Sequence, residues 1–142
     1  MKNKNSMGSW ITIGHSSIAE VMADAGFDWL WIDLENSVID FGKMQELLIA
    51  IQSKGLKAYV RIGENNSRII KRVLDAGPDG IIIPNVKSTL EAKKAVESFK
   101  YPPLGNRGVG LARAQNYGFD FENYRDYKTK DLILIAQIEH IN

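Results

Sequence analysis

Residues 28–62, DWLWIDLENSVIDFGKMQELLIAIQSKGLKAYVRI, decide the fold. DWLWIDL (Asp28–Leu34) is a short run apolar on both faces, as in a strand covered on both sides. Beyond it, Met44, Leu47, Leu48 and Ile51 recur at helical spacing and predict a helix from about Phe41 to Ser53, ended by Gly55. KAYVRI (Lys57–Ile62) then returns to strand chemistry. Two strands joined by a helix long enough to cross back form a β-α-β unit, and its strands are parallel.

The alternation extends in both directions. Upstream, SWITIG (Ser9–Gly14) reads as a strand, followed by a helix over about Ser16–Ala25. Ser16 or Ser17 is the expected cap of that helix, with Glu20 in its first turn, and Gly26 ends it. Downstream, a helix over about Ser67–Ala76 starts at a serine cap and stops at Gly77-Pro78. GIIIP (Gly80–Pro84) is a fourth strand, and Ser88-Thr-Leu-Glu91 is a capping box for a helix reaching Phe99. A glycine-rich connection spans Tyr101–Gly118, with a short helix near Phe121–Tyr127, and DLILIAQIE (Asp131–Glu139) is a fifth strand. Near-continuously apolar strands joined by helices imply an α/β parallel sheet covered on both faces. This pattern fits a doubly wound sheet and the first five units of a (β/α)8 barrel equally well.

Composition narrows the function classes. The 142 residues suit one domain, and 44% hydrophobic with 25% charged residues is ordinary globular composition. Eighteen basic against 17 acidic side chains give a net charge of +1, so no nucleic-acid surface is expected. With no cysteine, disulfides, thiolate metal sites and a cysteine nucleophile are excluded. No apolar stretch approaches the ~18–20 residues that span a membrane, and the polar amino terminus lacks a signal-peptide core. No membrane partner and a cytoplasmic location are therefore expected.

Ligands of either architecture bind at the carboxyl ends of the strands. Those ends carry Gly14-His15, Asp33-Leu34-Glu35-Asn36, Arg61, Pro84-Asn85 and Gln137-Ile138-Glu139-His140. Arg61 leaves a buried strand, and Gln137 and Glu139 share one face. A guanidinium beside a carboxylate suggests an anionic substrate held next to a divalent metal. The plainer expectations are a salt bridge at Arg61 or Glu139, a turn cap at Asp33, a surface His15, and Trp10, Trp29 and Trp31 in the core. Gly105, Gly108 and Gly110 lack the preceding strand and following lysine of a phosphate loop. They read as flexible backbone in a long loop, itself a reason to suspect function.

Four stretches resemble one family in its own order and spacing. They are GSWITIGHSSIAEVMADAGFDWLWIDLEN, YVRIGENNSRIIKRVLDAGPDGIIIPNV, YPPLGNRGVGLARAQNYG and IAQIE. Together they resemble the HpcH/HpaI class II, metal-dependent pyruvate aldolases, of the 4-hydroxy-2-oxoheptanedioate and 2-dehydro-3-deoxyglucarate aldolase kind. The resemblance implies a TIM (β/α)8 barrel of which about the first five β/α units are present, so that residues 1–142 are a single incomplete barrel domain. It implies reversible cleavage of 4-hydroxy-2-oxo acids to pyruvate, or a related 2-oxo acid, and an aldehyde. It also implies a divalent metal cofactor (Mg, Mn or Co), a small-molecule 2-oxo acid substrate and a homo-oligomer, often a hexamer. By the same resemblance Arg61 stabilises the enolate, Glu139 is a metal ligand, Gln137 contacts substrate and Trp10 lies near the site. Asp75 matches an acid that tunes the catalytic histidine, across a subunit boundary.

Two departures bear on activity. Where the family has Glu-His after the second strand, with histidine as general base, this chain has Glu35-Asn36. An amide cannot shuttle a proton near neutrality, although His15 is a conceivable substitute. The family's second metal ligand, an aspartate on a later strand, lies beyond Asn142, and Glu139 alone is a poor site for a hard cation. The sequence therefore predicts an aldolase scaffold of weak or absent activity. The alternative is a non-catalytic relative that binds a 2-oxo acid or acts in assembly. Carbon–carbon lysis of coenzyme A thioesters ranks last. Without three further units, the first and fifth strands are expected to stand as open edges.

Overall fold

The computed structural model describes residues 5–140. Its strands and helices alternate as β1 (Gly8–Ile11), α1 (Ser16–Asp24), β2 (Trp29–Asp33), α2 (Phe41–Ser53), β3 (Lys57–Arg61), α3 (Ser67–Asp75), β4 (Gly80–Ile83), α4 (Thr89–Phe99), α5 (Phe121–Asp126) and β5 (Ile133–Ala136). Polar caps fix the helix starts. Asp40 accepts from the Lys43 amide at 2.8 Å, and Ser88 from the Glu91 amide at 3.2 Å. Glu91 returns its carboxylate to the Lys87 amide at 2.6 Å, one residue before the cap. Two caps differ from expectation. His15 Nδ1, not a serine, accepts from the Ser17 amide at 3.2 Å, and Asn66, not Ser67, caps α3. Glu20 consequently lies beyond the first turn of α1.

All neighbouring strands are parallel, and their order is β1-β2-β3-β4-β5. A doubly wound sheet reverses its strand order at a switch point, and this sheet does not. Right-handed crossovers that always step the same way put every helix on one face, which is the barrel arrangement. Coverage of both faces was expected, yet the described helices cover one. Beneath them Ile11, Leu30, Ile32, Val60, Ile81 and Ile83 are buried against Met44, Leu47, Leu48, Ile51, Ile70, Val73 and Leu74.

The opposite face carries the alternate residues. Trp10, Trp31, Tyr59, Gly80 and Ile133 line up across the strands in register. Their rings pack in sequence, Trp10 on Trp31 at 5.1 Å and Trp31 on Tyr59 at 5.4 Å between centroids. Trp10 is 45% exposed, so this tryptophan belongs to the open face and not to the core beneath the helices. β1 and β5 are the edges of the sheet.

Gly80 lets β5 approach. A Cβ there would stand 2.4 Å from the Ile133 carbonyl oxygen and 3.0 Å from its Cβ. Backbone cannot yield as a side chain can, and overpacking of this kind costs about 1–3 kcal/mol. Gly80→Ala should loosen β5, which pairs only with β4 among the described strands. Hydrogen exchange at Ile133–Ala136 amides should accelerate while β1–β3 amides keep their protection. Unchanged exchange in β5 would contradict the close approach.

The long connection is not flexible filler. Arg107 and Gln115 are buried within it, and Gln115 donates to the Tyr101 hydroxyl at 3.1 Å. Arg113 reaches the Ala76 carbonyl at 2.8 Å and Gln52 at 2.7 Å. Gly110 lies so close to α3 that a Cβ would meet Asp75 and Lys71 at 2.6 Å.

Candidate functional site

β2 and β3 pair so that Asp33 and Arg61 are register partners at their carboxyl ends. Both side chains therefore share the open face, and they close a two-pronged ion pair. Arg61 Nε donates to Asp33 Oδ1 at 3.0 Å and Nη2 to Oδ2 at 2.7 Å. Trp10 supports the guanidinium from β1, its ring centroid 4.5 Å from the Arg61 Cζ. Flat contact on one side and a fork on the other leave the arginine little rotamer freedom.

Asp33 also winds the turn that follows it. Its Oδ1 accepts from the amides of Glu35 at 3.0 Å and Asn36 at 3.2 Å, and the Ser37 hydroxyl donates to its carbonyl. The turn brings Glu35 Oε2 within 3.2 Å of Arg61 Nε. Glu139 stands near enough for its charge to act on Arg61. Gln137 donates its side-chain amide to Glu139, and its backbone carries the β4 pairing past Ala136 through the Ile83 carbonyl at 2.9 Å.

Burial alone would raise the pKa of Asp33, which is 2% exposed. Hydrogen bonds from Arg61 and from the Asn36 and Glu35 amides, with the guanidinium charge, outweigh burial and hold the carboxyl below its ordinary value. The hydrogen bond to Asp33 is the main reason Arg61 is raised, against its own desolvation. A depressed carboxyl stabilises the fold above its unfolded pKa of about 3.9. That contribution should disappear as pH falls through the lower folded value. Denaturation midpoints recorded from about pH 6 down to about pH 2 should fall more steeply for the native sequence than for Asp33→Asn. Equal slopes would rule out this contribution.

Arg61, Glu139, Gln137 and Trp10, singled out from sequence, thus lie at one end of the sheet. Asn36 is there too, exposed, with its backbone fixed by Asp33. Asp75 is not. It ends α3, which runs back toward the amino ends of the strands, and its carboxylate binds Lys71 at 2.7 Å and Arg107 at 2.9 Å. It lines an outer groove of about 590 Å³ between α2 and α3, with Phe41, Gln45, Arg68 and Arg72. His15 spends Nδ1 on its cap. Sequence reasoning gave Asp33 only the turn, and the register of two strand ends was the signal for its second role.

Metal fit can be judged from the donors. Among the described residues no group of three or more His, Cys, Asp or Glu side chains is placed to hold a metal ion. Asp33 and Glu35 face Arg61, which leaves Glu139 as a single donor. Hard cations take six or more oxygens, some from water, so these residues do not by themselves make a metal centre. Among the described residues no helix is long and apolar enough to cross a membrane.

The sequence and the fold have relatives. The chain is 37% identical over 134 residues to a 2-dehydro-3,6-dideoxy-6-sulfogluconate aldolase of Pseudomonas putida, covering 94% of this chain and 52% of that one. It is 36% identical to a hydroxypyruvate/pyruvate aldolase of Roseobacter denitrificans, with 94% and 52% coverage. The crystal structure of an HpcH/HpaI aldolase from Desulfitobacterium hafniense superimposes with a TM-score of 0.87 at 28% identity, over 97% of this chain and 54% of that chain. The chain thus spans about half the length of the curated relatives it matches. Its five parallel strands are of the TIM-barrel type found in these relatives. With residues 6–141 matching the family profile as well, the chain belongs to the HpcH/HpaI aldolase/citrate lyase family.

Proposed function

We propose that the protein is an aldolase-type carbon–carbon lyase acting on 4-hydroxy-2-oxo acids, with proton transfer impaired at Asn36. The observation that carries this reading is Arg61, a guanidinium immobilised by Asp33 and Trp10 at the carboxyl ends of parallel strands. Aldol cleavage leaves negative charge on the enolate oxygen of pyruvate, and a preorganised cation lowers that barrier without reorganising. Asp33 occupies Nε and Nη2, so Nη1 is the nitrogen with no protein acceptor among the described residues. In this reading Nη1 binds the substrate oxygen, Gln137 contacts the 2-oxo acid and the Trp10 ring walls the site.

A divalent ion (Mg, Mn or Co) would supply Lewis acidity in the whole protein, with Glu139 among its donors. Asp75 acts in a neighbouring subunit of a homo-oligomer, since its own chain holds it at the far end of the sheet. Residues 1–142 form one barrel-type domain, and the location is cytoplasmic.

The test pairs binding with turnover. Oxalate, a planar mimic of the enolate, should bind and should perturb the fluorescence of Trp10. Pyruvate release from a 4-hydroxy-2-oxo acid with magnesium present should be slow or undetectable. No oxalate binding would overturn the site assignment, and turnover comparable to an intact aldolase would overturn the impairment. The second reading, a non-catalytic binder of a 2-oxo acid, is favoured by Asn36 alone.

A further inference from the structure

The β2–α2 turn leaves one group at the site with unused capacity. Glu35 Oε2 lies 3.2 Å from Arg61 Nε, but that N–H is aimed at Asp33 Oδ1, 3.0 Å away. Oε2 is therefore buried beside a positive charge and receives no hydrogen bond. The side chain as a whole is 17% exposed, so it is not sealed from solvent. A buried acceptor without a donor is costly, and such atoms persist where a ligand or a proton supplies the missing partner.

The neighbouring groups are less suited to take a proton. Asp33 is saturated by the Arg61 fork and the amides of Glu35 and Asn36, which favour its charged form. Glu139 is exposed and accepts from Gln137. His15 is engaged at the start of α1, and Asn36 has no titrating group. The charged partner of Glu35 is thus Arg61, itself paired with Asp33, and the charge of Glu139 acts on the same guanidinium.

We infer that Glu35 is the general base and acid of this site, taking the role that Asn36 cannot fill. The inference rests on the aldolase reading above. In the cleavage direction its carboxylate accepts the proton of the C4 hydroxyl. The O–H electron pair becomes the second bond of the aldehyde carbonyl, and the C3–C4 bond breaks. Its pair forms the C2–C3 double bond, and charge moves to the C2 oxygen beside Arg61. Glu35 then returns its proton to C3, giving the pyruvate methyl group and a free carboxylate.

The second half of this sequence can be observed alone. Pyruvate incubated with the protein in heavy water and magnesium should exchange its methyl protons, followed by proton NMR. Glu35→Gln keeps the shape and should lower exchange about 10²-fold or more while oxalate binding changes only a few-fold. Glu35→Asp, with the carboxylate withdrawn by one methylene, should fall between the two. If Glu35→Gln does not fold, Glu35→Asp decides by the same comparison. A purely structural glutamate would lower binding and exchange together. The inference fails if Glu35→Gln exchanges like the native protein, or if the native protein binds oxalate and does not exchange. Absent oxalate binding overturns the aldolase reading, and this inference with it.

Discussion

Arg61→Met should cost about 3–5 kcal/mol of folding stability, a large part of what a domain usually has. The loss comes chiefly from what is left behind. Asp33, with 3% of its side chain exposed, would keep its two amide donors and lose both prongs of the guanidinium fork. A buried carboxylate stripped of its counter-charge must ionise at a penalty or take up a proton. Methionine keeps an apolar stem but loses the guanidinium contact with the Trp10 ring, a smaller part of the cost than the uncompensated charge. Urea denaturation should show a lowered midpoint with an unchanged slope. The double variant Asp33→Asn/Arg61→Met should recover a substantial part, because the uncompensated charge is removed with its partner. Arg61→Lys should rescue charge but not the fork, and so fall between. A single-variant loss under about 1 kcal/mol would mean that the pair behaves like an exposed salt bridge. Oxalate binding should vanish in Arg61→Met at temperatures where the variant is still folded.

Most of this fold is readable in the sequence, because strand and helix periods, glycine stops and the Ser88 cap are local. The face coverage is not. DWLWIDL is apolar on both sides whether its second face meets helices or a barrel interior, so Trp29 and Trp31 cannot choose between them. Strand order chooses, and order is a relation between distant segments. The same holds for Asp33. An aspartate just after a strand reads as a turn former, and it does form the turn, but its bond to Arg61 depends on the register of two strands. Arg61 and Glu139 are visible as charges at strand ends, where barrel sites lie. Asp75 could be singled out only by resemblance, since a buried acid tied to Arg107 looks structural from either direction.

Asn36→His should raise the rate of pyruvate release by about 10²-fold, the low end of what a positioned acid–base group supplies. The low end applies because Glu35 already offers a slower route for the proton. The substitution suits its position. Asn36 is exposed, its backbone is held by Asp33, and it is not among the non-glycine residues with positive φ. Stability should therefore change by no more than about 0.5 kcal/mol. The gain should appear in kcat more than in KM, since the imidazole acts on the moving proton and not on substrate binding. It should also bring a limb near neutral pH to the rate profile, where the histidine loses its base form on acidification. Combined with Glu35→Gln, the histidine should sustain turnover by itself, which separates a replaced base from an added one. Should Asn36→His leave turnover undetectable while oxalate still binds, the protein is a 2-oxo acid binder built on an aldolase scaffold.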